Sequence, residues 1–328
     1  MERVVWYNEK FVPESEAKVS IYDSAMMFGD CVFDMLRSFG CHLFRVEEHL
    51  ERLLTGLKIL DIKIPYSKKD LEDAIYKTME ENTKTFEVND EHRILIDVTR
   101  GLLGLYQGVA DVPKGPNVWI ADFPLRWTTR GMGKLFDSGI NAVIPSQRTI
   151  PFSLLDQRIK NRNRIHFVMA NLEVSRYEGN NNWALLLDPD GYVAEGTGDN
   201  FFIVDKKDTV ITPEGRNILR GISRQYIFEL CDNLGIKWVE KNITPYDVYE
   251  AKEAFFTATP FCVLPVISLN SISIGRGKVI NNENSTFFYL LQEWSKSVQI
   301  NIKEQIQRWD NECKTVIQGP TPYSFKNK

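Results

Sequence analysis

Histidine is scarce in this chain: 4 in 328 residues, and not clustered. That speaks against a histidine-rich metal site. Cysteine is nearly as scarce. Cys31, Cys41, Cys231, Cys262 and Cys313 are odd in number and scattered, with no Cys-x-x-Cys pair. Reduced thiols and a cytoplasmic location fit this better than a disulfide framework or a zinc site. Long apolar runs are missing too. The most apolar stretch, Ala254 to Leu269, is interrupted by Thr257, Thr259, Pro260 and Pro265, so no membrane span is expected. The opening "MERVVWYNEKFVPES" has no apolar segment of the secretory-leader kind, and none is expected. An excess of positive charge is absent: 40 Lys and Arg stand against 44 Asp and Glu, a net charge of -4, which disfavours general nucleic-acid binding. No phosphate-binding Gly-x-x-x-x-Gly-Lys-Ser/Thr, no Gly-x-Gly-x-x-Gly, no His-Glu-x-x-His and no Gly-x-Ser-x-Gly occurs.

What remains is ordinary globular composition, 43% hydrophobic and 26% charged, in a chain long enough for two domains. "VVWYNEKFVP" reads as a hairpin turning near Asn8 and Glu9, and "CVFDMLRSFGCHLFRV" as two strands around Gly40. Leu50, Leu53, Leu54, Leu57 and Leu60 recur at helical spacing, and a second helix is expected over Lys69 to Glu80. "HRILIDVTRG" and "NVWIADFPL" are strand-like. Residues 1–124 are therefore expected to form a small N-terminal α+β domain, with 125–133 an aperiodic connection. A large domain is expected over 134–292, with a helix from about Arg164 to Glu178 and hairpins in "WALLLDPDGYVAEG" and "NFFIVDKKDTVITP". "ISRQYIFELCDNLG" should be a helix with Ser223 as N-cap and Gly235 as C-cap. Residues 293–328 are read as a C-terminal helical extension.

Four stretches carry candidate chemistry: Arg52 in "HLERL", Lys160 in "RIKNRN", Glu195 in "AEGTGDNFF", and "LRGISRQ" followed later by "FFTATPFCVLPV". Singly, each is an ordinary surface or turn feature. In this order they resemble the fold-type IV family of pyridoxal-phosphate enzymes, from about Val4 to about Gln292, most strongly over "GYVAEGTGDNFFIV…ITPEGRNILRGISRQ". That family includes branched-chain and D-amino-acid aminotransferases, (R)-selective amine transaminases and aminodeoxychorismate lyases. The resemblance implies a two-domain α+β chain whose larger domain has a β-barrel-like core, pyridoxal 5'-phosphate as cofactor, and a homodimer.

Lys160 then matches the lysine that condenses with the cofactor aldehyde, which needs a neutral amine; the cations Arg158, Arg162 and Arg164 would favour one, depending on where they point. Glu195 matches the carboxylate facing the pyridine nitrogen. Arg52 matches a phosphate-binding arginine, Ile222 and Ser223 a helix N-terminus that holds the phosphate, and Thr259 a second phosphate contact.

The pocket mixes subfamily features. Lys160-Asn161-Arg162-Asn163 has the shorter Lys-x-x-Asn spacing of D-amino-acid aminotransferases and lyases. Arg93 stands where branched-chain enzymes read the substrate carboxylate, with Arg37 a second candidate, and Glu91 is placed to pair with Arg93 when substrate is absent. Phe28 and Phe33 would wall an apolar side chain. The segment Gly101 to Gly108 is a candidate loop lent to the partner subunit. The reading is transfer from an apolar, branched-chain L-amino acid to 2-oxoglutarate. A D-amino-acid or (R)-amine transaminase, or an aminodeoxychorismate lyase of the same fold, is the alternative.

Overall fold

The computed structural model describes residues 2–312, except 110, 112, 180, 280, 282 and 283. Cys313 and the end of the expected C-terminal extension lie outside the described residues. The chain divides into two compact units. The first comprises Met1–Trp127 together with Ile159–Arg164; the second comprises Thr128–Arg158 and the chain from Ile165 onward.

In the first unit, β1 (Val4–Tyr7) and β2 (Lys10–Pro13) form the expected hairpin. They are followed by α1 (Ser24–Phe28), β3 (Cys31–Phe39), β4 (His42–Leu43), α2 (Val46–Ile59), α3 (Lys68–Thr83), β5 (His92–Thr99) and β6 (Asn117–Pro124). The sheet runs β2-β1-β6-β5-β3-β4, with every named pair antiparallel. Period-2 alternation gives it two distinct faces. Val32 and Leu36 of β3, with Ile94, Ile96 and Val98 of β5, pack against Leu50, Leu53 and Leu57 of α2 and Leu71 and Ile75 of α3. The helix over residues 68–83 exceeds its expected limits at its C-terminal end and begins at a Ser67–Asp70 capping box. On the opposite face the register aligns Arg37 with Arg93, Met35 with Leu95, and Phe33 with Asp97.

Residues 159–164 join this unit because they extend β3 at its start. Phe33 N donates to Lys160 O at 2.9 Å and Arg162 N to Cys31 O at 3.1 Å. Arg162 then forks onto Asp97, with Nε to Oδ1 at 2.8 Å and Nη2 to Oδ2 at 3.0 Å.

The division between units falls within α4 (Arg126–Thr129). The connection read as aperiodic thus contains one helical turn, and α5 (Leu135–Ser138) supplies another. The second unit continues with β7 (Ile140–Val143), α6 (Ile165–Val174), β8 (Asn182–Leu187), β9 (Val193–Gly196), β10 (Asn200–Val204) and β11 (Val210–Thr212). Next come α7 (Ile222–Leu234), β12 (Trp238–Glu240), α8 (Pro245–Glu250), β13 (Glu253–Ala258), β14 (Cys262–Leu269) and β15 (Ile272–Ser273). Two helices, α9 (Thr286–Ser297) and α10 (Ile302–Glu312), complete it. Strands β10, β13, β14, β7, β8 and β9 pair in that order, and β9 pairs back to β10. The ring closes, so the barrel-like core inferred from resemblance is present. Closure removes edges, and every residue of β8, β9 and β10 is buried.

Two helix limits in this unit also differ from expectation. α6 stops at Val174; Arg176 N and Tyr177 N bond only three residues back, to Glu173 O and Val174 O, each at 3.1 Å, and the chain leaves through Gly179 at φ +105. The N-cap of α7 is Gly221 rather than Ser223, which lies inside the first turn; Gly235, at φ 66, is the C-cap as expected.

Candidate active site

Lys160 lies on the face of the first unit's sheet that turns away from its helices. Its Nζ is 4.9 Å from the centre of the Phe33 ring, which also carries Arg162 at 3.7 Å and Arg164 at 5.0 Å. Phe33 is buried and acts as a floor for the basic run. Burial, then Arg164 and Arg52, with a smaller contribution from Arg93, hold the Lys160 amine well below the usual lysine range, and Asp34 opposes them. The neutral, nucleophilic form is thereby favoured. Of the three flanking arginines expected to set this, Arg164 contributes. Arg158 is exposed and forks onto Asp156, and Arg162 is bridged to Asp97. Arg52 and Arg93, remote in sequence, were not named for this effect.

Arg93 is buried at 5% exposure. Its Nη1 donates to Leu36 O at 3.2 Å, its Nη2 lies 3.6 Å from Met35 Sδ, and its Nε has no hydrogen-bond partner among the described residues. No carboxylate among the described residues bridges it. Burial first, then Arg37 across the strand pair, push it down to about 9, against Asp34. The expected Glu91–Arg93 pair does not form. Glu91 precedes β5 rather than lying on it, and its carboxylate accepts from Ser38 Oγ, Gly40 N at 2.7 Å and Cys41 N at 3.2 Å. Those bonds tie down the turn between β3 and β4. Arg37 is buried, with Nε donating to Ser38 O at 3.0 Å and its guanidinium 3.7 Å from the Phe39 ring. Phe28, by contrast, is exposed at the end of α1.

Arg52 is on α2 and forks onto Asp34, a buried residue of β3 that the sequence reading passed over. His49, one turn earlier, completes that cluster with Nδ1 2.8 Å from Asp34 Oδ1.

In the second unit, Glu195 is the penultimate residue of β9, with 5% exposure. Its Oε2 accepts from Asn200 Nδ2 and from Leu219 N, each at 3.1 Å. Asn200 Nδ2 also donates to Leu219 O at 2.9 Å, so one amide couples the carboxylate to the segment entering α7. Gly221 approaches so closely that an added Cβ would lie 2.2 Å from Asn200 Oδ1. With glycine as N-cap, α7 has no side-chain cap, which suits its first-turn N–H groups at Ile222 and Ser223 to an anion. Asp199, in the turn between β9 and β10, is pushed well above the carboxylate range by burial and then by Glu195. Thr259 lies on the turn joining β13 to β14; Thr257 Oγ1 donates to Cys262 O at 2.6 Å at the base of that turn.

The fold and the lysine-centred cluster together define an enzyme of the aminotransferase class. The family model for amino-transferase class IV matches residues 31–269. A protein of Methanocaldococcus jannaschii, provisionally named a branched-chain-amino-acid aminotransferase, is 33% identical over 307 residues, 93% of this chain and 97% of the relative. The solved Escherichia coli branched-chain amino acid aminotransferase has a TM-score of 0.79 at 26% identity, over 90% of this chain and 94% of that one. A "T.th." branched-chain amino acid aminotransferase solved with pyridoxamine 5'-phosphate has the same fold, with a TM-score of 0.75 at 24% identity, over 94% and 98%. The chain belongs to the class IV aminotransferases.

Proposed function

We propose that this enzyme moves the amino group of branched-chain L-amino acids to 2-oxoglutarate with pyridoxal 5'-phosphate, as a cytoplasmic homodimer. The observation that carries the reading is the buried Lys160 amine over the Phe33 ring, held well below the usual lysine range by burial and then by Arg164 and Arg52. The names of the relatives support the substrate class.

The donor set suits a phosphorylated pyridine aldehyde. Lys160 supplies the amine, Glu195 a carboxylate, Arg52 a guanidinium, Ile222 and Ser223 the start of an uncapped helix, and Thr259 a turn hydroxyl. When bound, the cofactor supplies an aldehyde that captures the amino group and a ring that accepts the electrons of the substrate Cα–H bond. Lys160 Nζ would take the proton from the substrate Cα and deliver it to the cofactor carbon that captured the amino group, and would carry it the opposite way in the return half. Glu195 keeps a proton on the pyridine nitrogen, and its bonds from Asn200 and Leu219 fix where that carboxylate points. Arg93, a buried cation without a bridging carboxylate among the described residues, takes the substrate carboxylate. Arg37 is its neighbour in register, and the buried Phe33 serves the apolar side chain.

Exposed apolar residues in the first unit, Ile21, Met26, Phe28 and Leu105, support association with a second copy, and the segment 101–108 includes one of them. The deciding experiment is a half-reaction screen. L-leucine, D-amino acids and (R)-amines are added separately to purified enzyme, and loss of its bound-cofactor absorption is timed. Fastest loss with branched-chain L-amino acids is expected; a preference for amines without a carboxylate would hand the reading to the (R)-amine class.

A further inference from the structure

Asp34 occupies an apolar position. Its neighbours on the same face of β3, Val32 and Leu36, are fully buried, and so is Asp34. An unpaired carboxylate is not tolerated there, and both of its oxygens are engaged. Arg52 Nε donates to Oδ2 at 2.9 Å, while Arg52 Nη2 at 2.8 Å and Met35 N at 2.7 Å donate to Oδ1. Burial alone would raise Asp34, but Arg52 and then His49 overcome that and hold it well below the usual carboxylate range. It therefore only accepts, so His49 Nδ1 carries the hydrogen that points at Oδ1.

His49 and Arg52 stand three residues apart on α2, so one helical face delivers both to the strand. Two parallel N–H···O bonds fix the plane of a guanidinium as well as its position, which a single contact leaves open. The anchor lies on an interior strand whose side chains on that face pack in the core, not on a loop. The same carboxylate is the anion that opposes the cations around both Lys160 and Arg93.

We propose that Asp34 is a positioning residue for the reaction: its carboxylate sets the plane of the Arg52 guanidinium, so that Arg52 meets the cofactor phosphate in one fixed orientation. This rests on the reading of Arg52 as a phosphate contact. The test uses the full chain freed of cofactor, titrated with pyridoxal 5'-phosphate and with pyridoxal, which lacks the phosphate. The ratio of the two affinities isolates the phosphate contribution from any general loosening of the fold. In Asp34→Asn the ratio should fall by about tenfold to a hundredfold, the span of one charge-assisted contact. Asp34→Glu, which restores the charge one methylene away, should fall between that variant and wild type.

Arg52→Ala separates the two ideas. If it lowers the ratio while Asp34→Asn does not, Arg52 binds phosphate without help from Asp34 and the positioning role is overturned. If Arg52→Ala leaves the ratio unchanged, the phosphate reading of Arg52 falls and the positioning role falls with it. Should Asp34→Asn not fold, Asp34→Glu decides. A ratio at least about threefold below wild type supports the role, since a displaced fork loses part of a bidentate contact. A wild-type ratio overturns it.

Discussion

Arg93→Met separates what this residue costs the fold from what it contributes to binding. Pushing the guanidinium from the usual arginine range down to about 9 corresponds to roughly 5 kcal/mol against the charged form. Because the folded value is depressed, the penalty is full at every pH below about 9 and fades only as the pH rises toward the usual arginine range. At neutral pH the cation is therefore retained at a cost to stability. A methionine fills similar volume with no charge to desolvate, so the cofactor-free variant should melt higher, by a few degrees for each kilocalorie per mole recovered, about 2–4 °C. Binding should move the other way. Losing a buried partner for a carboxylate costs about 2–5 kcal/mol, so the KM for 2-oxoglutarate should rise by about 30-fold or more. Reaction with a primary amine that lacks a carboxylate should change by less than about threefold, because that contact is absent from both states. Differential scanning fluorimetry and single-turnover kinetics read the two effects separately. A lower melting temperature combined with unchanged 2-oxoglutarate kinetics would refute the argument, since Arg93 would then be a structural residue with a satisfied environment.

Lys160→Ala should abolish fixation of cofactor by borohydride, as read by intact mass; fixation persisting at another lysine would overturn the assignment. In the cofactor-free wild type, acylation of Lys160 should reach its plateau at a pH well below about 10.4, the value for an unperturbed lysine, because burial, Arg164 and Arg52 disfavour its charged form. The sign for stability matches that of Arg93: the penalty applies while the amine is charged and fades as the pH rises. Gly221→Ala places a methyl group against Asn200 Oδ1 and should loosen the Glu195 carboxylate. Cofactor retention on dialysis should drop while the melting temperature of the cofactor-free chain changes little. Leu53→Ala empties a site of 0% exposure between α2 and β3 and should cost about 2–5 kcal/mol in denaturant titration; a loss below about 1 kcal/mol would mean the site collapses around the gap.

Local pattern was enough for most elements, because the pattern is itself the physical cause. Leucines at helical spacing made α2, alternation made β5 and β6, and Asp188 to Gly191 made the turn between β8 and β9. The same signals faltered where a side chain outside the pattern intervened. Gly221 displaced Ser223 as the N-cap, and α6 tightened into three-residue turns after Val174. Lys160, Arg52 and Glu195 are assigned from ordered motifs, because nothing local distinguishes Lys160 from other lysines.

The amino-acid sequence by itself determined the family, the strand and helix content, and the chemical types available for the reaction. Only the tertiary structure decided which charges act on which. Strand register set Arg37 beside Arg93, and the turn after β3 drew Glu91 away from Arg93. Helix packing brought His49 and Arg52 onto Asp34, and the short pairing of residues 159–164 with β3 carried Lys160 over Phe33. Electrostatic energy depends on distance and burial in three dimensions, and neither quantity is carried by separation along the chain.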